Sequence, residues 1–306
     1  MRCFLGVDVG GTKTAAAVVD ACGRVLLSSV VATPARLGGA AVLEAAGAGA
    51  ALTLERARAE GLRPEACGAG VAGVIGPDGV VTSATEALPG WAGVDVRSGL
   101  AAATGLPVRV VNDVHALALG EARFGAAADA RSVLVVAVGT GVGGAFVHDR
   151  RLVAGRSGTA GSIGHTPVAG REGRRCPCGA EDHLEAYASG PAIVSRYAAR
   201  GGQGERLEDV VAAAGRGDDA ARTVLVEAGT LIGQVVAGAA NLLDPHAIVL
   251  GGGVLHAGAH LLDPLRRALM AHTLPGPRAA PVSATAPLPH GNVVGAASLV
   301  MDGIDL

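Results

Sequence analysis

The chain has 306 residues, with 25 Lys plus Arg against 27 Asp plus Glu, a formal net charge of −2, and hydrophobic residues making up half of the total. That length suffices for one large or two medium domains around a well-buried core, and the interspersed charges leave no basic patch for nucleic acid and no acidic solvating tail. Aromatic residues are only 2% of the chain, which argues against stacking on exposed bases.

In chain order, the start reads as a β-hairpin: Leu5, Val7 and Val9 alternate, Gly10-Gly11-Thr12-Lys13 makes the turn, and Ala15 to Val19 leads out. The first residues run straight into this strand, with Asp8 inside it, which is no signal peptide. Val25 to Val31 reads as a third strand, and Gly39 to Glu60 as a helix with Leu43, Ala46, Ala50 and Leu54 on one face. Gly68 to Val74 is a short apolar strand before the turn Pro77-Asp78-Gly79. Val108 to Val111 is a buried strand ending at Asn112-Asp113, and a helix is expected from Val114 to Phe124. The pattern then restarts. Ser132 to Val138 is a strand, Gly139-Thr140-Gly141-Val142-Gly143-Gly144 a glycine-rich turn, and Ala145 to His148 a returning strand. Asp218 to Leu243 reads as one long helix, His246 to Leu250 as a strand, Gly251-Gly252-Gly253 as a turn, His260 to His272 as a helix and Gly295 to Met301 as a closing helix that packs back on the first domain. Strands alternating with helices, twice over, indicate a two-domain α/β protein. The most apolar segment, Ala228 to Leu243, carries Gln234 and Asn241 and is shorter than a membrane span. The expectation is a cytoplasmic protein with no membrane and no nucleic-acid partner.

Gly139-x-Gly141-x-x-Gly144 matches the string of a dinucleotide-binding fold, but that motif needs a helix next, and here a strand follows. Gly10 to Lys13 is likewise no P-loop. What remains is two hairpins whose turns expose backbone N–H groups, with Thr12 and Thr140 adding hydroxyls, which suits phosphate oxygens. Asp8 beside the first turn is what a Mg²⁺–nucleotide site requires, through metal-bound water, and Gly251 to Gly253 would lay bare backbone against a nucleotide. Five cysteines, two of them in the CxC Cys176-Pro-Cys178, suit a reducing compartment and a metal better than disulfides. Those two with His165 upstream and His183 downstream match a four-ligand tetrahedral Zn²⁺ site. His256 and His260, four apart, would share a helical face and read as surface histidines. Arg171 to Arg175 reads as a solvated loop, and Trp91 as core.

Taken in order, Gly6-Val-Asp8-Val-Gly-Gly-Thr-Lys13, Asn112-Asp113 with Gly120-Glu121, Gly139-Thr140-Gly141, Gly161-x-x-Gly164-His165, the CxCG block ending at Glu185, and Gly251 to Gly253 resemble the ROK family of sugar kinases across essentially the whole chain. The resemblance implies an actin-like, ribonuclease-H-like fold of two lobes around a nucleotide/sugar cleft, here residues 1–113 plus 295–306 and residues 114–294. It implies transfer of the γ-phosphoryl group from Mg-ATP to a sugar hydroxyl, most often the 6-OH of a hexose, by a homodimer or homotetramer with a structural zinc. Residue by residue, Asp113 resembles the general base, and Asn112, Ser162, His165 and Glu185 stand where the family contacts sugar. Asp8, Gly10, Gly11, Thr12, Lys13, Gly139, Thr140, Gly141, Gly251, Gly252 and Gly253 stand in the ATP and magnesium positions. His165, Cys176, Cys178 and His183 stand in the zinc positions, His183 in place of the family's third cysteine and with one more residue before Cys176. Ser162 stands where glucose-type members carry Glu and N-acylmannosamine-type members often His, and Ala87 where the latter carry Asn. An amino sugar, an N-acyl hexosamine or a cyclitol is therefore an alternative substrate to glucose. A protein of another class, a catalytically silent sugar sensor on the same fold, would not need Asp8, Asp113 and both glycine turns.

Overall fold

The computed structural model describes residues 1–84, 88–168, 173–284, 288 and 290–303. Its elements run β1 (Cys3–Val9), β2 (Lys13–Asp20), β3 (Val25–Ala32), α1 (Gly39–Ala59), β4 (Cys67–Val71), β5 (Val74–Ile75), β6 (Val81–Ser83), α2 (Val96–Thr104), β7 (Val108–Asn112) and α3 (Asp113–Phe124). They continue with β8 (Ser132–Val138), β9 (Val142–His148), β10 (Arg151–Leu152), α4 (Glu185–Ala188), α5 (Gly190–Ala198), α6 (Leu207–Gly215), α7 (Asp219–Leu243), β11 (Ala247–Gly251), α8 (Ala259–His272), α9 (Pro275–Arg278), β12 (Val282–Ala284) and α10 (Gly291–Ser298). Strand order is β3-β2-β1-β4-β7 in one sheet and β10-β9-β8-β11-β12 in another. The same plan occurs twice, as the restart of the sequence pattern anticipates.

The chain divides into two units, Met1–Ser132 with Ala145–Ala160 and Pro287–Leu306, and Val133–Gly144 with Gly161–Ala286. The boundary expected after residue 113 falls between β7 and α3, inside the first unit. The reason is packing: α3 is stacked against α10, where a methyl group on Gly120 would lie 2.8 Å from the Gly291 carbonyl oxygen. In the first sheet β1 pairs antiparallel with β2 and parallel with β4, and β4 parallel with β7. Helix α10 lies flush on β1 and β4 because Gly6 and Gly68 present no Cβ; one there would approach Val293 O to 2.1 Å and Ala296 O to 1.8 Å. The first glycine of the Gly6-Val-Asp8 motif is thus a packing residue. Helix α10 begins at Gly291, four residues before the expected start, and Gly295 sits mid-helix, facing α3. A Cβ on Gly295 would meet Ala116 O at 1.8 Å. Gly295→Ala is therefore expected to cost about 1–3 kcal/mol or more. A melting temperature equal to that of the wild type would contradict this contact. Trp91 is fully buried in the core beside Val81, Val96 and Leu100, with its Nε1–H donated to Ala72 O at 2.9 Å.

In the second unit β8, β11 and β12 form a parallel ladder. Helix α7 starts where expected, capped by Asp218, whose Oδ1 accepts from the Ala221 amide at 2.9 Å. Its 25 residues are long and apolar enough to cross a membrane by length and composition alone. Its packing marks it as a core helix instead: Gly229 and Gly233 let α8 approach so closely that a Cβ would lie 2.2 Å from Leu261 O and 2.3 Å from Leu265 O. His256 lies in a short 3₁₀ turn and His260 in α8, separated by Gly258 at φ +66°, so they share no helical face. Ala87 lies outside the described residues.

Candidate active site

Two carboxylates of the first unit stand at the C-terminal ends of parallel strands β1 and β7, which flank β4 in the sheet. Asp8 on β1 pairs in register with Gly70 on β4, and Gly70 pairs with Val111 on β7, which ends at Asn112 and hands over to Asp113, the first residue of α3. Gly70 makes this spacing feasible, because a Cβ there would meet the Ala116 Cβ at 2.8 Å and the Asp113 Cα at 3.5 Å. Such strand ends are where open α/β sheets place ligands. Burial, then the neighbouring negative charge of Asp113, raise the Asp8 carboxyl from its usual 3.8 to about 6, against the opposing pull of Asn292 and Lys13. Burial also raises Asp113, partly offset by the amide of Val114, whose N–H bonds its Oδ1 at 2.9 Å. Two buried carboxylates, both raised in affinity for protons and one acting on the other through its charge, make a candidate acid/base and cation-binding pair.

A carboxyl whose pKa is raised on folding takes up a proton between about pH 4 and 6, so its contribution to stability falls as pH rises through that window. Asp8→Asn is expected to stabilise the fold at pH 7.5 by on the order of 2 kcal/mol, with the gain gone below about pH 4. Denaturant unfolding at the two pH values reads this, and equal stability of variant and wild type at pH 7.5 would refute it.

Asn112 caps α3 by accepting from the Val114 amide at 2.9 Å, and its amide donates to Gly73 O at 2.9 Å. One N–H and one lone pair remain for a ligand. Asn292 on α10 was not foreseen: its amide nitrogen lies 3.4 Å from both Asp8 carboxylate oxygens. The sequence carries no local signal for it, since α10 comes from the far end of the chain. The turn between β1 and β2 is closed by the Gly10 amide on Lys13 O at 3.1 Å. Neither Gly10 nor Gly11 has a positive φ, and a Cβ on Gly11 would touch nothing. Internal packing therefore does not demand glycine at position 11. Lys13, exposed on the same turn, is the only lysine among 24 arginines, a signal that was available in the sequence.

In the second unit, the turns Gly139–Gly141 and Gly251–Gly253 follow neighbouring strands, with Ala137 on β8 paired to Gly251 on β11. Gly252 has φ +93°, and a Cβ on it would lie 2.2 Å from Val138 O, so both backbone conformation and approach demand glycine. Gly139 and Gly253 again leave open space where a Cβ would stand. Gly139 O accepts from the Gly190 amide at 2.8 Å, tying Thr140 and its turn to the start of α5. Glu185, buried at the start of α4, accepts from the Val142 amide at 2.7 Å through Oε2. Ser162 is exposed, one turn before His165, whose amide bonds to Ser162 O at 3.0 Å.

His165, Cys176, Cys178 and His183 converge, with one ligand atom from each lying within 4.8 Å of all the others. Cys176 Sγ is 3.6 Å from His165 Nδ1, and Cys178 Sγ is 3.2 Å from His183 Nδ1. Tetrahedral bonds of about 2.0–2.3 Å imply ligand–ligand edges of about 3.3–3.8 Å, and the two Cys–His pairs stand close to that spacing, so the quartet is a candidate tetrahedral metal site. A tight knuckle presents them: the Gly179 amide bonds to Cys176 O at 2.9 Å and the Cys176 amide to Ala180 O at 2.8 Å. Asp182, at φ +55°, holds the loop base by accepting from the Gly173 and Arg174 amides at 3.2 and 3.0 Å and from the Tyr187 hydroxyl. Arg174, expected in solvent, lies over the Tyr187 ring at 5.9 Å; Arg171 and Glu172 lie outside the described residues.

Comparison with known proteins identifies the family. The ROK family model matches residues 4–303. A glucokinase of Streptomyces coelicolor is 34% identical, over 87% of this chain and 87% of that protein. The bifunctional enzyme NanE/NanK of Brucella melitensis is 38% identical over 88% of this chain, which spans 48% of that longer protein. The structure of a ROK family glucokinase from Streptomyces griseus, solved in complex with glucose and AMPPNP, superposes with TM-score 0.79 at 34% identity, covering 98% of this chain and 100% of that one. The chain belongs to the ROK family and has its actin-like ATPase fold.

Proposed function

We propose that this protein is an ATP-dependent sugar kinase that transfers the γ-phosphoryl group to a hydroxyl, most simply the 6-OH, of a hexose-like sugar. The observation that carries this reading is the Asp8–Asp113 pair at the ends of β1 and β7 in a ROK-family chain. Asp113 accepts the proton of the attacking hydroxyl; its raised affinity for protons makes it a better base than a free aspartate. Asp8 holds Mg²⁺ through water, and the ion, when bound with ATP, neutralises charge on the phosphates. Gly10, Gly11, Thr12 and Lys13, with Gly139, Thr140 and Gly141, are assigned to the phosphate oxygens, and Gly251 to Gly253 to the nucleoside side. Asn112, Ser162, His165 and Glu185 bind sugar hydroxyls. His165, Cys176, Cys178 and His183 would hold a structural Zn²⁺, which would restrain the ring of His165 beside the sugar. A homodimer or homotetramer belongs to the same reading.

Ser162 offers a neutral hydroxyl where a carboxylate would give charge-assisted bonds, stronger by about twofold. This favours an amino sugar, an N-acyl hexosamine such as N-acylmannosamine, or a cyclitol over glucose. An ADP-release assay across hexoses, hexosamines, their N-acyl derivatives and cyclitols tests both. Turnover of at least one sugar is expected. Sugar binding without turnover of any would replace the kinase by a silent sugar sensor.

A further inference from the structure

The residue two places after Asp113 grips the residue two places before Ser162. His115 lies in the first turn of α3, 5% exposed, with its Nε2 3.0 Å from the carbonyl oxygen of Ala160. A carbonyl only accepts, so Nε2 carries the proton and donates it. Burial lowers the pKa of this imidazole, which keeps the ring neutral with Nδ1 unprotonated.

The gripped segment is built to stay in place. The Ala160 amide bonds back to Ala154 O at 3.1 Å, and the Ser157 and Thr159 hydroxyls lie 2.9 Å apart. Gly158, at φ +75°, approaches β5 so closely that a Cβ would stand 2.2 Å from Ile75 O. On the other side of Asp113, Asn112 reaches to Gly73, just ahead of β5. The two neighbours of Asp113 in this arrangement, Asn112 and His115, thus anchor the helix start to separate loops of the same unit.

We infer that His115 is a positioning residue for sugar selection: its ring ties the loop leading into Ser162 to the helix that begins with Asp113. This rests on the kinase reading, which assigns Asp113 to the proton and Ser162 to the sugar. The tie acts on the sugar side and leaves the nucleotide side alone, so its signature is a split between the two substrates.

The test uses His115→Leu, which keeps bulk and removes the donor, with His115→Gln, which keeps an N–H at similar reach, and His115→Asn, whose N–H is too short. Steady-state kinetics with sugar varied at saturating Mg-ATP, and the reverse, are read together with melting temperatures. His115→Leu is expected to raise the sugar KM about tenfold, the size of one lost buried hydrogen bond, and to change the rate ratio between the best and second-best sugars. The ATP KM stays within about twofold, and His115→Gln recovers most of the sugar KM. If His115→Leu does not fold, the Gln/Asn pair decides, with the KM rise expected in Asn and not in Gln. Unchanged sugar KM and preference in a folded His115→Leu, equal KM values in Gln and Asn, or an ATP KM that moves with the sugar KM would overturn the inference. Wild-type protein silent with every sugar overturns the kinase reading together with it, whereas an active wild type with an insensitive His115→Leu overturns the tie alone.

Discussion

Replacing Asp113 by asparagine is expected to lower kcat by about 10²–10⁴-fold, the contribution of a positioned general base. The substitution isolates that role. Asparagine has the same shape, its Oδ1 can accept from the Val114 amide as the carboxylate does at 2.9 Å, and the Asn112 cap of α3 is untouched. What disappears is the group able to take a proton. Sugar binding, measured by calorimetry, is expected to change only a few-fold, because a neutral amide still offers hydrogen bonds to a hydroxyl. The wild-type rate should fall on acidification as the buried carboxylate, raised in pKa, takes up its proton, while the residual rate of the variant should lack that dependence. A kcat within tenfold of the wild type would remove Asp113 from the base role.

The second large effect concerns the metal. Protein purified without chelator is expected to hold one Zn²⁺ per chain, and Cys176→Ser or exhaustive chelation to remove it and lower the melting temperature by several degrees. At the tip of the loop that carries the donors, Cys178 is exposed and contacts Cys176 and His183, both members of the quartet. Structural zinc in small sites is worth about 10–16 kcal/mol of apparent binding energy at neutral pH. The loss should be local, since Asp182 and Tyr187 grip the base of the loop and Arg196 donates to Tyr187 O at 3.1 Å independently of any ion. The sugar KM should rise more than the ATP KM, because His165 belongs to both the quartet and the proposed sugar contacts. Elemental analysis that finds no zinc, or a chelated enzyme with an unchanged sugar KM, would break the link.

Local pattern carried much of the architecture. The β1 hairpin, Ser132–Val138 and α7 with its Asp218 cap follow from alternation, helical periodicity and capping chemistry, which act over a few residues. Where the outcome depends on distant partners, the sequence is mute. Helix α10 starts at Gly291 because the chain turns through His290 in the left-handed region, and Gly295, which looks like a helix boundary, is an opening for α3. Helices α2, α5 and α6 have nine residues each, too few turns for their apolar face to stand out in the sequence. The CxC block announces its own ligands because Cys and His are rare here and their spacing is short. Asn292 and the His115–Ala160 contact are invisible to spacing, being made by residues 284 and 45 positions apart.

The solitary Lys13 has a practical consequence. With 24 arginines supplying the other side-chain cations, these 306 residues contain a single ε-amino group, and it stands on the turn assigned to the phosphates. Arginine is always charged and unreactive toward acylating reagents, whereas a lysine amine is their target. An amine-directed label applied to this chain therefore has one side chain to find, and the extent of its reaction becomes a direct gauge of how much of the turn is covered at any moment.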